Sequence, residues 1–496
     1  MGIIKRQAIQ GTIFSYMGVA VGFITTLLIY PKVFSKEQIG LIRILVAYSA
    51  LFAQFATLGF PRVTTMMFTY FRDYQKKHHG FFHIAMLVSL TGLILSLIIF
   101  FALQPYIVGR GEETSGLFAE YAYYIVPLII SNLLFILFDT YYKVLFNSVQ
   151  GTFLKEFLQR LLILTITVLF LFHLINFEEF IILFVASFTT PPLLMMILLL
   201  KDKELSLKPE YSFIDRSLGK KMINVSFFGI LTSFSGILVL NIDSIMINEY
   251  LNLGETGIYS ITFFFGTVVL LPSRPLLKIS SVVIADAWKN NNIRTIDEIY
   301  YKSCLNQVII GGLFFIGIWG NIHNVFNNFL LPPDFEPGKY VIFFISLASL
   351  IQLAGGTSNM ILFTSKNYKV HTFLMLILVI CLILSNMILI PVYGIVGAAI
   401  ASAASFLIFN LIKFLYLNLK FGFKPYDYKI LFVLVIAGFV YFSTLFLPKL
   451  DSFILDIIYR SIIITIIYSV LILVFRLSKD INASFDSLIK KIFNSE

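Results

Sequence analysis

The residues best placed to do chemistry in this chain are charges set in apolar surroundings. Asp243 interrupts the stretch Ile237–Ile247, far from the expected inner start of its helix and so in the outer half of a membrane. A carboxylate there serves either as an ion or proton site or as the partner of a neighbouring cation, and both readings stand. Leu271-Pro-Ser-Arg-Pro-Leu276 sets Arg274 between Pro272 and Pro275. Each proline removes a backbone donor and breaks or kinks a helix. A guanidinium presented at such a break can grip phosphate oxygens bidentately, with Lys278 one turn further on adding charge. The alternative is an arginine snorkelling to the inner interface. Leu58-Gly-Phe-Pro61 precedes Arg62 in a comparable break. Arg43 reads either as a cavity cation or as an interfacial residue. Asp139 is expected near the inner face, paired with one of these arginines. Pro191–Pro192 marks a further break with no charge attached.

Enzyme constellations are lacking. His78, His79 and His83 lie together beside Lys76 and Lys77, without a further ligand at metal-site spacing, and read as a solvated inner loop. Glu112–Glu113 and Glu178–Glu179 read as solvated charge in outer loops. Gly18 and Gly22 form a G-x-x-x-G match, a pattern that lets helices pack closely. Cys304 and Cys381 fall in apolar segments and imply neither a disulfide framework nor a metal. There is no phosphate-binding loop of the G-x-x-x-x-G-K-[ST] type. The chain therefore reads as a non-enzyme, with no cofactor and no ATP drive of its own.

The elements that must position these residues are membrane helices. Of the 496 residues 58% are hydrophobic and 13% charged, far from the roughly 25% charged residues of a soluble domain. Apolar runs of about 20 residues, the length of a spanning helix, recur from end to end. The alternation expected of barrel strands is absent. The spans fall near 8–30, 39–60, 81–103, 121–145, 155–174 and 178–200, then 222–248, 256–284, 302–326, 339–363, 369–391 and 394–418, and finally 429–448 and 453–475. That is an all-α polytopic membrane protein of about fourteen transmembrane helices, the first retained rather than cleaved.

Charge sets the orientation. With the N-terminus inside, 30 of the 37 lysines and arginines fall on inner segments, the positive-inside bias. Both termini are then cytoplasmic. The net charge of +10 is explained by topology and not by nucleic acid.

The chain also looks duplicated. Phe34-Ser-Lys-Glu-Gln-Ile-Gly-Leu41 opens the second span, and Asn252-Leu-Gly-Glu-Thr-Gly-Ile-Tyr259 opens the eighth. Gly40 and Gly257 are 217 positions apart, which fits two parallel six-helix halves. The expected divisions are 1–200, a charged linker at 201–221, a second half at 222–418, and 419–496 with the last two spans and a tail.

Three stretches carry a family resemblance: Gly11-Thr12…Gly18…Gly22 leading into Phe34–Gly40; Asp243-Ser-Ile-Met-Ile-Asn248 followed by Glu255-Thr-Gly-Ile-Tyr-Ser260; and Tyr393-Gly-Ile-Val-Gly-Ala-Ala-Ile-Ala-Ser402. On these the chain resembles the O-antigen and capsule polysaccharide flippases of the multidrug/oligosaccharidyl-lipid/polysaccharide exporter superfamily. The resemblance implies two six-helix bundles around a central cavity, with two extra C-terminal helices. It also implies a bacterial inner-membrane flippase for a lipid-pyrophosphate-linked oligosaccharide in surface polysaccharide (O-antigen, lipopolysaccharide) biosynthesis. Alternating access would be coupled to an ion or proton, with membrane lipids and polysaccharide-assembly proteins as partners. Family cavities are cationic, and Arg62, Arg274 and Lys278 are the matching candidates. A cation-coupled drug exporter of the same superfamily is the alternative within transport. An integral-membrane polymerase or ligase is the alternative outside it.

Overall fold

The computed structural model describes residues 2–112, 116–202, 210–326 and 330–493, without side-chain detail at 2–5, 8, 109–112, 212, 275, 278 and 488–493. The described chain is all helix, without strands. In chain order the helices are α1 (Gly2–Phe23), α2 (Lys36–Ala56), α3 (Phe60–Phe71), α4 (Phe81–Glu112), α5 (Ile125–Val144), α6 (Gln159–Leu171), α7 (Phe177–Lys201) and α8 (Arg216–Tyr250). They continue with α9 (Leu253–Thr267), α10 (Ser273–Lys289), α11 (Ile293–Gly320), α12 (Lys339–Ala354), α13 (Ser358–Thr364), α14 (Tyr368–Phe421), α15 (Tyr428–Thr444), α16 (Phe453–Val474) and α17 (Lys479–Phe493).

Among the described residues, eleven helical segments are long and apolar enough to cross a membrane, and the chain is a multi-pass membrane protein. Eleven is fewer than the fourteen read from hydropathy. One reason lies in α14, whose 54 residues join two helices at Gly394, a residue in a conformation (φ 59°, ψ −140°) open to glycine alone. Straight, it would reach about 80 Å, more than twice the apolar thickness of a bilayer. Another is α15, apolar but only 17 residues long. A third is α6, preceded by a wide turn at Phe153–Leu158 that splits residues 149–171.

Packing divides the chain into one compact unit at Met1–Ile261 and another at Thr262–Glu496. This boundary of contact differs from the division expected at 201–221. Helix α8 follows that linker, and it lies against α2 and α3. Residues 203–209 of the linker are outside the described set.

In the first unit an aromatic core of Phe68, Phe71, Phe81, Phe82, Phe138 and Tyr141 joins α3, α4 and α5. In the second, α11 packs on α15 and α16 through Val308, Ile316, Val433, Val440, Ile464 and Tyr468. The many exposed Leu, Ile and Phe side chains elsewhere, such as Ile98, Leu240 and Phe446, are what a lipid-facing surface requires.

Candidate functional site

Two helix starts organise the first unit. Ser35 caps α2, its hydroxyl accepting from the Gln38 N–H while Gln38 returns the bond to the Ser35 N–H. Asn252 does the same duty for α9, accepting from the Glu255 N–H at 2.8 Å. Five residues past each cap stands a glycine, Gly40 and Gly257, and the two helices cross there. A Cβ on Gly40 would lie 1.9 Å from the Leu253 carbonyl oxygen, and one on Gly257 would lie 2.0 Å from that of Lys36. The two copies of the repeated motif therefore pack on each other.

The candidate charges gather one turn further along. Asp243 is buried on α8 and accepts a 2.8 Å hydrogen bond from the Tyr259 hydroxyl of α9. Arg43 of α2 donates to the Ser244 hydroxyl at 3.0 Å and to the Leu240 carbonyl at 2.8 Å, within reach of the Asp243 field. Asp243 thus has a hydroxyl donor and a neighbouring cation, the geometry of a charge partner.

The helix breaks also lie where proline and glycine stand. Helix α2 ends at Ala56, and the chain turns through Thr57–Gly59 before α3 starts with Pro61 in its first turn, so the span expected at 39–60 is α2 and the break falls at its end. Gly59 has φ +69° and sits against α8, where its Cβ would meet the Ser226 carbonyl at 2.2 Å. Arg62, half-buried, reaches Thr232 of α8 at 3.2 Å. Behind Pro61 a water-sized cavity of about 10 Å³ is lined in part by Thr57, Thr64, Ser89 and Thr140.

The span expected at 256–284 is interrupted. A tight turn at Val268–Leu270 follows α9, and α10 begins after Pro272. Arg274 is exposed in its first turn, with no hydrogen bond or ion pair to its guanidinium among the described residues. The side chains of Pro275 and Lys278 lie outside the described set.

Other expectations are corrected. Asp139 pairs with Lys143 one turn along α5, not with an arginine, and its carboxylate presses on Gly151, where a Cβ would lie 1.8 Å from Oδ1. An i,i+4 lysine on its own helix is simply nearer than any arginine. Pro191 and Pro192 do not break α7, which runs unbroken from Phe177 to Lys201. Both prolines are buried, and the Thr189 and Thr190 hydroxyls bond back to carbonyls one turn earlier. The histidines are not a solvated loop. His78 and His79 are buried, His79 stacks on Phe213 at 3.9 Å and pairs with Glu210, and His83 meets Tyr211. Among the described residues no group of three or more His, Cys, Asp or Glu converges as a metal site. Glu179 caps α7 reciprocally with Asn176. The Gly18–Gly22 match is a packing face: a Cβ on Gly18 would lie 1.8 Å from the Glu156 carbonyl, and Arg160 donates to the Gly18 carbonyl.

Two charged centres escape the sequence reading. Hydropathy and charge alone place Lys413 and Arg460 among the loop charges, yet both are buried, at 2% and 3% exposure. Arg460 bonds Asp456 at 2.8 Å and the carbonyls of Thr444, Leu447 and Pro448, while Asp456 also accepts from Asn324 and the Leu450 N–H. This satisfied pair ties α15 and α16 to the end of α11. Lys413 stands inside Leu411-Ile-Lys-Phe-Leu415, an apolar setting that is the signal for its burial.

The fold is shared with solved flippase and multidrug-transporter structures. It is similar to a solved lipid II flippase MurJ in an inward closed conformation, with a TM-score of 0.69 and 15% identity, over 95% of this chain and 99% of that one. An inward-facing multidrug resistance MATE transporter of the MOP superfamily gives 0.61 and 10%, over 82% and 98%. A point mutant of the Vibrio cholerae MATE transporter VcmN gives 0.53 and 11%, over 86% and 100%. No protein-family model matches the chain, and no curated protein matches it.

Proposed function

We propose that the chain is a flippase for a lipid-pyrophosphate-linked oligosaccharide, moving it from the inner to the outer leaflet of a bacterial inner membrane by alternating access, for surface polysaccharide assembly. The observation that carries this reading is the extent of the structural likeness. The likeness to a lipid II flippase covers 95% of the chain, whereas those to the two MATE transporters cover 82% and 86%. Chemistry supports it as well. Each unit offers an arginine just after a helix break, Arg62 and Arg274, and an arginine fork suits a pyrophosphate better than an organic cation. The drug exporter remains the second reading, since MATE transporters share the fold.

The proposed topology has fourteen spans with both termini cytoplasmic, counting α14 as two passes about Gly394 and adding residues 149–171 and α15. In it Arg62, Arg274, Lys278 and Arg43 are substrate cations, and Asp243 and Asp139 are coupling or charge-partner residues. Pro61 and Pro272 stand at the breaks, with Pro275 in the first turn of α10.

The test is reconstitution of the full chain in vesicles holding a fluorescent lipid-pyrophosphate saccharide, with leaflet exposure read by an impermeant quencher. Exchange between leaflets that needs the protein supports the reading. Uptake of ethidium without saccharide exchange would replace it with the drug exporter.

A further inference from the structure

The second unit contains a cavity with a mixed lining, apolar at Leu277, Leu353 and Phe406 and polar elsewhere, that the proposed function does not use. It measures about 100 Å³, room for roughly three waters at about 30 Å³ each. Lys413 from the second half of α14 lies at its wall, with Gln307 of α11, Gln352 of α12, and Asn359, Asn410 and Ser273.

Lys413 is 2% exposed and carries three donors. One reaches Asn359 Oδ1 at 2.9 Å, and the ammonium sits 4.3 Å from the Phe409 ring. Among the described residues no carboxylate lies within ion-pair distance of it, and none lines the cavity. Among the described residues Asn359 Oδ1 is the one hydrogen-bond acceptor for its three donors. Gln307, 3% exposed, adds a buried amide nitrogen that lacks a partner among the described residues. Among the further amides on this wall, Asn410 Nδ2 is committed to the Ile351 carbonyl.

A buried amine keeps its proton only where acceptors or a counter-charge meet it, which a bound anion would supply, and a buried amide donor likewise needs a partner. The protein provides the cation and the spare donors without the counter-charge, in a space suited to a small ion and too small for a lipid-linked sugar. We infer that this cavity is a binding site for one small monovalent inorganic anion, such as chloride, held by the Lys413 ammonium and the Gln307 amide. The site stands apart from substrate recognition, so its test does not depend on the flippase reading.

Radiolabelled chloride binding to the purified full chain in detergent tests it, with gluconate as the competing control. The expected result is one saturable site per chain, weakened at least tenfold by Lys413→Gln, weakened less by Gln307→Met, and kept by Lys413→Arg. Should Lys413→Gln fail to fold, the Gln307→Met titration and the anomalous signal of bromide in crystals of the unaltered protein decide. A bromide peak in contact with Lys413 supports the site. No saturable chloride binding, binding unchanged in a folded Lys413→Gln protein, or a cavity holding water alone would overturn it.

Discussion

The Tyr259 hydroxyl donates a 2.8 Å hydrogen bond to the Asp243 carboxylate, and both groups are buried. That bond links α9 to α8 beside Arg43, whose own bonds go to the next residue, Ser244, and to Leu240. Removing the acceptor charge leaves a partly buried guanidinium with less compensation. Asp243→Asn is expected to destabilise the protein more than Tyr259→Phe, for which about 1 kcal/mol is the ordinary value of a lost hydrogen bond. Thermal melts of the purified variants check the order. If Asp243 also couples an ion, Asp243→Asn removes the gradient dependence of transport, and an unaltered dependence rejects that role.

The glycine crossing gives a sharper expectation. Neither Gly40 nor Gly257 has space for a methyl group, because each faces backbone of the other helix at 2.0 Å or less. Overpacking of this kind costs about 1–3 kcal/mol. Gly40→Ala and Gly257→Ala are each expected to lower the melting temperature. The double variant should cost less than the sum, since the first methyl already parts the helices. Strict additivity would show that the contact is not shared.

Arg274 is exposed at the start of α10. Under the proposed function Arg274→Ala abolishes saccharide flipping at normal protein levels, and Arg62→Ala weakens it. Lysine at either position should restore only part of the activity, because a point charge lacks the two-pronged grip. Full flipping by Arg274→Ala would sink the pyrophosphate role.

The Arg460–Asp456 pair is expected to be structural. Arg460→Ala leaves a buried carboxylate short of its cation, at a cost of about 3–5 kcal/mol. The pairwise replacement Arg460→Met with Asp456→Leu should recover much of that loss. Melting curves of the three variants read this directly.

How much of this the sequence discloses depends on range. The helical class, the breaks at Pro61 and Pro272, and the recurrence of Gly40 at Gly257 are local patterns, and they are legible. The meeting of those two glycines is not, since contact across 217 positions leaves no local mark. Asp139 misleads because a lysine four residues on competes with distant arginines. His78 and His79 mislead because burial there depends on Phe213 and Glu210, over 130 positions away. Lys413 resembles a loop charge to any count that ignores which side chains turn inward.

The crossing of α2 and α9 joins like to like: residue 36 touches 257 as residue 253 touches 40. Such reciprocity is the mark of an isologous dimer interface, in which one patch serves as its own partner. Here the two copies sit in a single chain, so each can change without the other. In a dimer of identical chains any mutation there would act twice. In this chain it acts once, and the two sides are free to differ.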